Sequence, residues 1–255
     1  MIDSDAQIEA DFDGSYSKAL DSAPTSEEAL TITLNRALMH LKCHQFEAAL
    51  HDLEEVSLEI DLASSHLSEK LLFRKSQALY YLQRFRECCD TYTILVKRNP
   101  DLKSAKADFN RALKRLAEQQ NGKYQFKQMQ LEATRNRPPY LDHATYVGPV
   151  SVRQTSSSGR GLFTTEAVRA GDLLFCEKAF AYAFYDAKNP TMDLSLLMNA
   201  EANTMTLATQ ADLLPLIIQK LYKTPSLISS VTDLYHGEYK PLSVSEIDGS
   251  PIIDR

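Results

Sequence analysis

The stretch Leu34-Asn-Arg-Ala37-Leu38-Met-His40-Leu41-Lys-Cys43-His44-Gln-Phe46-Glu-Ala-Ala49-Leu50-His51-Asp-Leu53 sets the reading of the first half of this chain. Leu30, Leu34, Ala37, Leu38 and Leu41 fall at i, i+4, i+7, i+8 and i+11, the spacing of one helix face. A shift of 39 positions places Leu34 on Phe73, Ala37 on Ser76, Phe46 on Phe85, Ala49 on Cys88, Leu53 on Tyr92 and Val56 on Leu95. Small residues coincide where the two helices of a hairpin must approach closely. Large ones coincide where the next hairpin packs. The second unit closes at Arg98-Asn99-Pro100, where proline stops the helix.

Outward from this block, Ser26-Glu27-Glu28 offers an N-cap and first-turn acids for the first helix. Residues 1–24 alternate Asp, Ser, Ala and Gly with few large apolar groups, so they read as a flexible lead-in. A third helix is expected from Leu102 to about Glu118, with Ala105, Phe109, Ala112 and Leu116 on its buried stripe. Lys103, Lys106, Asn110 and Lys114 form its polar stripe, which serves either as a solvated face or as contact for an acidic partner. Tandem prolines in Asn136-Arg-Pro-Pro-Tyr140 end the helical pattern. Strands are expected at Tyr146–Val152, Gly161–Thr165 and Leu173–Glu177, with a loop at Thr155–Ser158 and a turn at Val168–Asp172. Helical spacing returns from about Asp193 to Tyr235 and is clearest over Ala211–Tyr222.

With 44% hydrophobic and 24% charged residues, the chain is not a wholly disordered one. Its net charge of −6 gives no general attraction to nucleic acid, so no direct nucleic-acid binding is expected. No apolar run approaches the ~20 residues of a membrane span, and the first thirty residues are acidic, unlike a signal peptide. Four cysteines without a C-x-x-C pair read as reduced thiols of an intracellular protein, cytoplasmic and/or nuclear.

The helical block resembles the tetratricopeptide repeat, whose usual period is ~34 residues. The five extra positions would lie around Ala63-Ser64-Ser65-His66. The resemblance implies a protein substrate or partner bound through the repeats. Helix pairs of this kind also serve only as scaffold for a neighbouring domain, and both uses stay open here.

The segment Ser158-Gly159-Arg160-Gly161-Leu162-Phe163 carries the chemistry. A G-x-G step between strands lets the backbone approach a ligand closely. Downstream come an Ala170-Gly171 turn, an apolar strand and Cys176-Glu177-Lys178. That order resembles the opening of the SET domain, the fold of S-adenosylmethionine-dependent protein-lysine methyltransferases. Together with the repeats, Leu141–Tyr146 and Thr232–Tyr239, it is similar to fungal SET proteins with N-terminal repeats, relatives of the SET and MYND enzymes. The resemblance implies that Ser158, Gly159, Arg160 and Gly161 form the cofactor loop, and that Leu162 and Phe163 begin the strand behind it.

The sequence departs from that family in its catalytic half. It has no Asn-His dipeptide and no late catalytic Tyr near a Gly-Glu-Glu-Leu-type motif, so no catalytic residue is assigned. The expectation is a fragment with weak or absent S-adenosylmethionine binding; the alternative is a non-catalytic interaction protein. The expected fold class is α+β. It comprises a lead-in (1–24), tetratricopeptide-like hairpins (25–120), a linker helix and Pro-containing connection (121–145), and a partial SET domain with a helical insert (146–255).

Two weaker constellations point to structure. His40, Cys43 and His44 share one end of a helix and His51 lies across the turn, but a closed zinc site wants four convergent ligands, and no metal site is assigned. Tyr235-His236-Gly237 reads as a turn, since no spaced carboxylate or nucleophile accompanies it.

Overall fold

The computed structural model describes residues 2–23, 25–56, 65–136, 138–156, 159–184, 196–199, 203–234, 246–247 and 250–251. Helices come first: α1 (Ile2–Asp21), α2 (Ser26–Lys42), α3 (Phe46–Glu55), α4 (Ser65–Tyr81), α5 (Phe85–Arg98), α6 (Lys103–Asn121) and α7 (Phe126–Arg135). Antiparallel strand pairs follow: β1 (Tyr146–Val147) with β4 (Phe175–Cys176), and β2 (Val150–Gln154) with β3 (Arg160–Thr164). Further on, β5 (Leu196–Asn199) pairs with β6 (Thr204–Leu207), and β7 (Glu246–Ile247) with β8 (Ser250–Pro251). Helix α8 (Thr209–Lys223), a 3-10 turn at Pro225–Leu227 and α9 (Ile228–Thr232) lie between β6 and β7. The architecture is α+β and mostly helical. Among the described residues no helix is long and apolar enough to cross a membrane.

Helices α2 and α3 form one hairpin and α4 and α5 a second, and the two repeat at the 39-residue shift. Ala37 and Ser76 are fully buried, as are Ala49 and Cys88, so each small slot lies between paired helices. In the second hairpin the two small residues touch: the Cys88 thiol sits 3.3 Å from the Ser76 carbonyl oxygen. Leu34, Leu53, Val56, Phe85, Tyr92 and Leu95 are buried around them. A fully buried Leu of this kind contributes about 1.5–3 kcal/mol.

The turns repeat as well. His44 (φ 61°) and Gln83 (φ 59°) both adopt the left-handed conformation. His44 N–H donates to Leu41 O and Gln45 N–H to His40 O; Gln83 N–H donates to Tyr80 O and Arg84 N–H to Leu79 O. This paired closure satisfies the last carbonyls of α2 and α4 in the same way. One polar pair crosses the first hairpin, where the Arg36 guanidinium donates to both oxygens of Asp52 at 2.6 and 3.0 Å.

Three expectations change. The lead-in over 1–24 contains a helix: Phe12 and Tyr16, one turn apart, stack edge-on at 5.2 Å, and Phe12 packs 5.4 Å from the His40 ring of α2. The cap of α2 is Thr25 rather than Ser26, its hydroxyl accepting from Glu28 N–H at 3.2 Å. Helical spacing expected from Asp193 begins only at Thr209, because 196–207 carries the β5–β6 hairpin, with Leu196 opposite Leu207 and Met198 opposite Met205. Asn203, with positive φ, leads the chain into β6, and Ala208, also with positive φ, turns it from β6 into α8. Of the five extra positions between the units, Ser65 and His66 open α4, whereas Ala63 and Ser64 lie outside the described residues.

The strands are tied to the helical stack through 142–145. Tyr80 on α4 donates its hydroxyl to the Asp142 carboxylate at 2.7 and 2.9 Å. Glu118 on α6 accepts from Arg115 at 2.9 Å and from Ala144 N–H at 3.0 Å, and lies 2.9 Å from His143 Nδ1. Gly122 ends α6 at φ 60°, and a Cβ there would fall 2.6 Å from the Tyr146 ring. Only glycine satisfies both the turn and that contact.

Candidate functional site

The β2–β3 hairpin carries the Gly-rich loop. Its register pairs Gln154 with Arg160, Arg153 with Gly161, Val152 with Leu162, Ser151 with Phe163 and Val150 with Thr164. Strand alternation therefore sets Gly161 and Phe163 on one face, and Leu162 with its cross-strand partner Val152 on the other. The loop closes where Thr155 donates both its backbone N–H and its hydroxyl to Gly159 O, each at 2.7 Å.

Gly159 has φ 74°, and a Cβ built there meets nothing within 4 Å. Its backbone is open to close approach by another molecule. At Gly161 a Cβ would sit 2.9 Å from the Phe163 ring, so the ring occupies the space beside that glycine. Arg160 turns away along its own path: Nη1 lies 2.6 Å from Asp233 Oδ2 and Nη2 2.6 Å from Asp233 O, just past the end of α9.

Both faces of the hairpin are open. Val152 is 65% exposed, Leu162 52% and Phe163 42%. Val147 and Phe175 on the β1–β4 pair are half exposed or more. Neighbouring apolar side chains left in water on paired strands form a surface built to be covered.

Of the four residues expected in the cofactor loop, Gly159, Arg160 and Gly161 come together on this hairpin, and Ser158 lies outside the described residues. Asp233 was not singled out as a partner of the loop, because a contact 73 positions away leaves no local signal in spacing. The segment Thr232–Tyr239 is described only through Leu234, and Tyr235, His236 and Gly237 fall outside.

The helix-end histidines are engaged in packing. His40 Nδ1 lies 2.7 Å from Gln45 Oε1, and its ring contacts Phe12; the His44 ring meets Phe46 edge-on. Among the described residues, the one group with metal-ligand spacing is a different one, His51, Asp52 and Glu55. Its Asp52 already receives two bonds from Arg36, so a cation would have to displace a guanidinium. Cys88 and Cys89 are buried, and burial pushes their thiols up, to about 12 and about 11.

No protein-family model matches the chain, and no solved structure matches it. Over 239 residues it is 37% identical to a protein of Gibberella zeae named "Methyltransferase". That methyltransferase is a homologue. The similarity covers 94% of this chain and 32% of the homologue, so the chain spans about a third of the length of the methyltransferase it matches. With 94% of the chain aligned, the helical stack and the β2–β3 hairpin both fall within the similarity to the methyltransferase.

Proposed function

We propose that these residues belong to an S-adenosylmethionine-dependent protein-lysine methyltransferase of the SET type. In this reading, residues 146–255 supply the first strands and the cofactor loop, and the paired helices are tetratricopeptide-like repeats that bind a protein substrate or partner. The observation that carries the reading is the glycine-opened loop at Gly159 on an uncovered apolar hairpin, in a chain homologous to a protein named as a methyltransferase.

The loop suits such a cofactor in one respect: among the described residues nothing lies within 4 Å of where a Gly159 Cβ would sit, so a ligand can lie against its backbone. Gly159, Arg160 and Gly161 would line the ligand through main-chain groups, and the Phe163 ring would form a wall beside Gly161. When bound, S-adenosylmethionine supplies an electrophilic methyl group on a sulfonium. The chain's own contribution is to orient it and to exclude water. The absence of an Asn-His-x-Cys segment and of a late catalytic Tyr from this sequence leaves the positioning of the lysine amine without an assigned residue here.

The second reading is a non-catalytic interaction module. It is favoured by the contrast between the well-buried helical stack and the thinly covered strands.

One titration separates the two. S-adenosylmethionine is added to the 255-residue chain while the amide signals of the β2–β3 hairpin are followed by NMR. The methyltransferase reading expects shifts centred on Gly159–Gly161, saturating near the millimolar range, a binding free energy of only ~4 kcal/mol. It also expects no transfer of a labelled methyl group to histones or peptides. Gly161→Val should abolish the shifts. Signals moved equally in Gly161→Val would overturn the cofactor assignment, and a loop unmoved at millimolar ligand is the outcome the interaction module expects.

A further inference from the structure

A cavity of about 520 Å³ lies between α7, residues 139–144, the segment after β4 and α8. Its walls are largely apolar and aromatic. Tyr140 and Tyr182 have ring centroids 5.1 Å apart, and Phe180 and Leu216 line the same space. Two amines line the same space, those of Lys178 and Lys220.

Among the described residues neither amine is hydrogen-bonded or ion-paired to a carboxylate. Lys178 is exposed and makes no hydrogen bond there, with Asp142 and Glu118 attracting it only at longer range. Lys220 donates only to a neutral acceptor, Phe180 O at 2.5 Å, and its Nζ lies 4.3 Å from the centre of the Phe180 ring. The nearby carboxylates are already engaged. Asp142 accepts from Tyr80, and Glu118 holds Arg115, His143 and the Ala144 N–H. Glu177, His143 and the Cys176 thiol are the other titratable groups on the cavity wall beside the two lysines and tyrosines. Burial pushes both lysine amines below their usual value, and Lys178 pushes Lys220 further down. Two lysine amines at the edge of one apolar, aromatic cleft, neither hydrogen-bonded to a carboxylate among the described residues, give an anion on an apolar body a favourable seat.

We propose that this cavity is a binding site for a carboxylate carried on an apolar or aromatic body, with the carboxylate between Lys178 and Lys220 and the body against Tyr140, Tyr182, Phe180 and Leu216. The site lies outside the Gly-rich loop and does not depend on the methyltransferase reading. The same chemistry is offered by a small aromatic acid and by an acidic side chain next to a large apolar one in a peptide.

The test uses two matched pairs of probes, titrated by calorimetry and ligand-observed NMR into the 255-residue chain. They are 4-phenylbutyrate with its amide, and the capped dipeptides Ac-Phe-Asp-NH2 and Ac-Phe-Asn-NH2. At least one acidic probe should bind about tenfold more tightly than its neutral partner, the worth of a charge-assisted hydrogen bond. If the free acid shows the larger discrimination, the site takes a small molecule; if the dipeptide does, it takes a peptide.

Lys178→Met and Lys220→Met keep the apolar stem of each side chain and should each bring the acid down to its neutral partner's affinity. Lys178→Arg should keep most of the discrimination. Thermal melts followed by circular dichroism show that each variant remains folded. Equal binding of acid and neutral partner in both pairs, no binding of any probe at millimolar concentration, or acid binding that survives both Met variants would overturn the proposal.

Discussion

Arg160 and Asp233 join the Gly-rich loop to the end of α9 across 73 positions of sequence, through one carboxylate oxygen and one backbone carbonyl, each at 2.6 Å. Both side chains are solvent-exposed, so the pair adds little to global stability, at most ~1 kcal/mol. Its effect is local: it fixes the loop's direction. Arg160→Ala removes both contacts, and Asp233→Ala removes only the carboxylate. Amide exchange at residues 159–162 should therefore quicken more in Arg160→Ala than in Asp233→Ala, with melting temperatures nearly unchanged. Equal, unaltered exchange in both variants would show that the pair does not hold the loop.

Ala49 and Cys88 fill equivalent closed positions, so Ala49→Phe or Cys88→Phe forces side chains off their rotamers. The expected loss is ~1–3 kcal/mol for either, read from urea unfolding. Cys88→Ala should cost less, since it removes only a sulfur already opposite Ser76. A loss below a few tenths of a kcal/mol in both Phe variants would mean that the two positions are not packed as described.

Asp52 is buried, accepts two hydrogen bonds from Arg36 and lies 3.6 Å from His40 Nε2. Asp52→Leu leaves the guanidinium in the hairpin without its partner and should cost about 3 kcal/mol. Arg36→Met combined with Asp52→Leu should recover most of that loss, because the paired replacement leaves no unpartnered guanidinium behind. A double variant as unstable as the single one would show that packing, not charge, sets the cost.

Cys88 and Cys89 have thiols pushed up to about 12 and about 11 by burial, against a usual 9.0. The folded protein therefore holds their protons more tightly than the unfolded chain does. The sign follows: their contribution to stability is intact below pH 9 and is lost as pH rises from there toward 12. At pH 8, iodoacetamide should label Cys176 and spare Cys88 and Cys89 until urea unfolds the chain. Rapid labelling of Cys88 in the folded protein would contradict its burial.

Much of the helical half was legible because its signals are local or periodic. A 39-residue shift pairs small with small and large with large, and most of those positions prove to be buried, with Phe46 and Phe73 partly so. The strands were placed with less accuracy. Tyr146–Val152 divides at Gly148-Pro149 into β1 and β2, because proline has no N–H for a continuous ladder. Apolar runs such as Leu196–Asn199 suit a helix face and a strand alike, and only pairing with Thr204–Leu207 distinguishes them. In the candidate site, the glycines were visible as residue types. The Asp233 contact and the cavity between Lys178 and Lys220 depend on how distant segments meet, which no spacing rule encodes.

The paired turns at His44 and Gln83 bear on how such a chain could have grown. Each is closed by backbone bonds from within its own hairpin; at Gln83 these are supplemented by Gln119 Nε2, which donates to its carbonyl, and by Thr145 N–H, which donates to its side chain. A duplicated block of 39 residues would carry its own corner with it, leaving only the outer helix faces to be refitted. The length of the stack is in that sense a free variable of the gene, adjustable by whole-unit insertion without redesign of any corner.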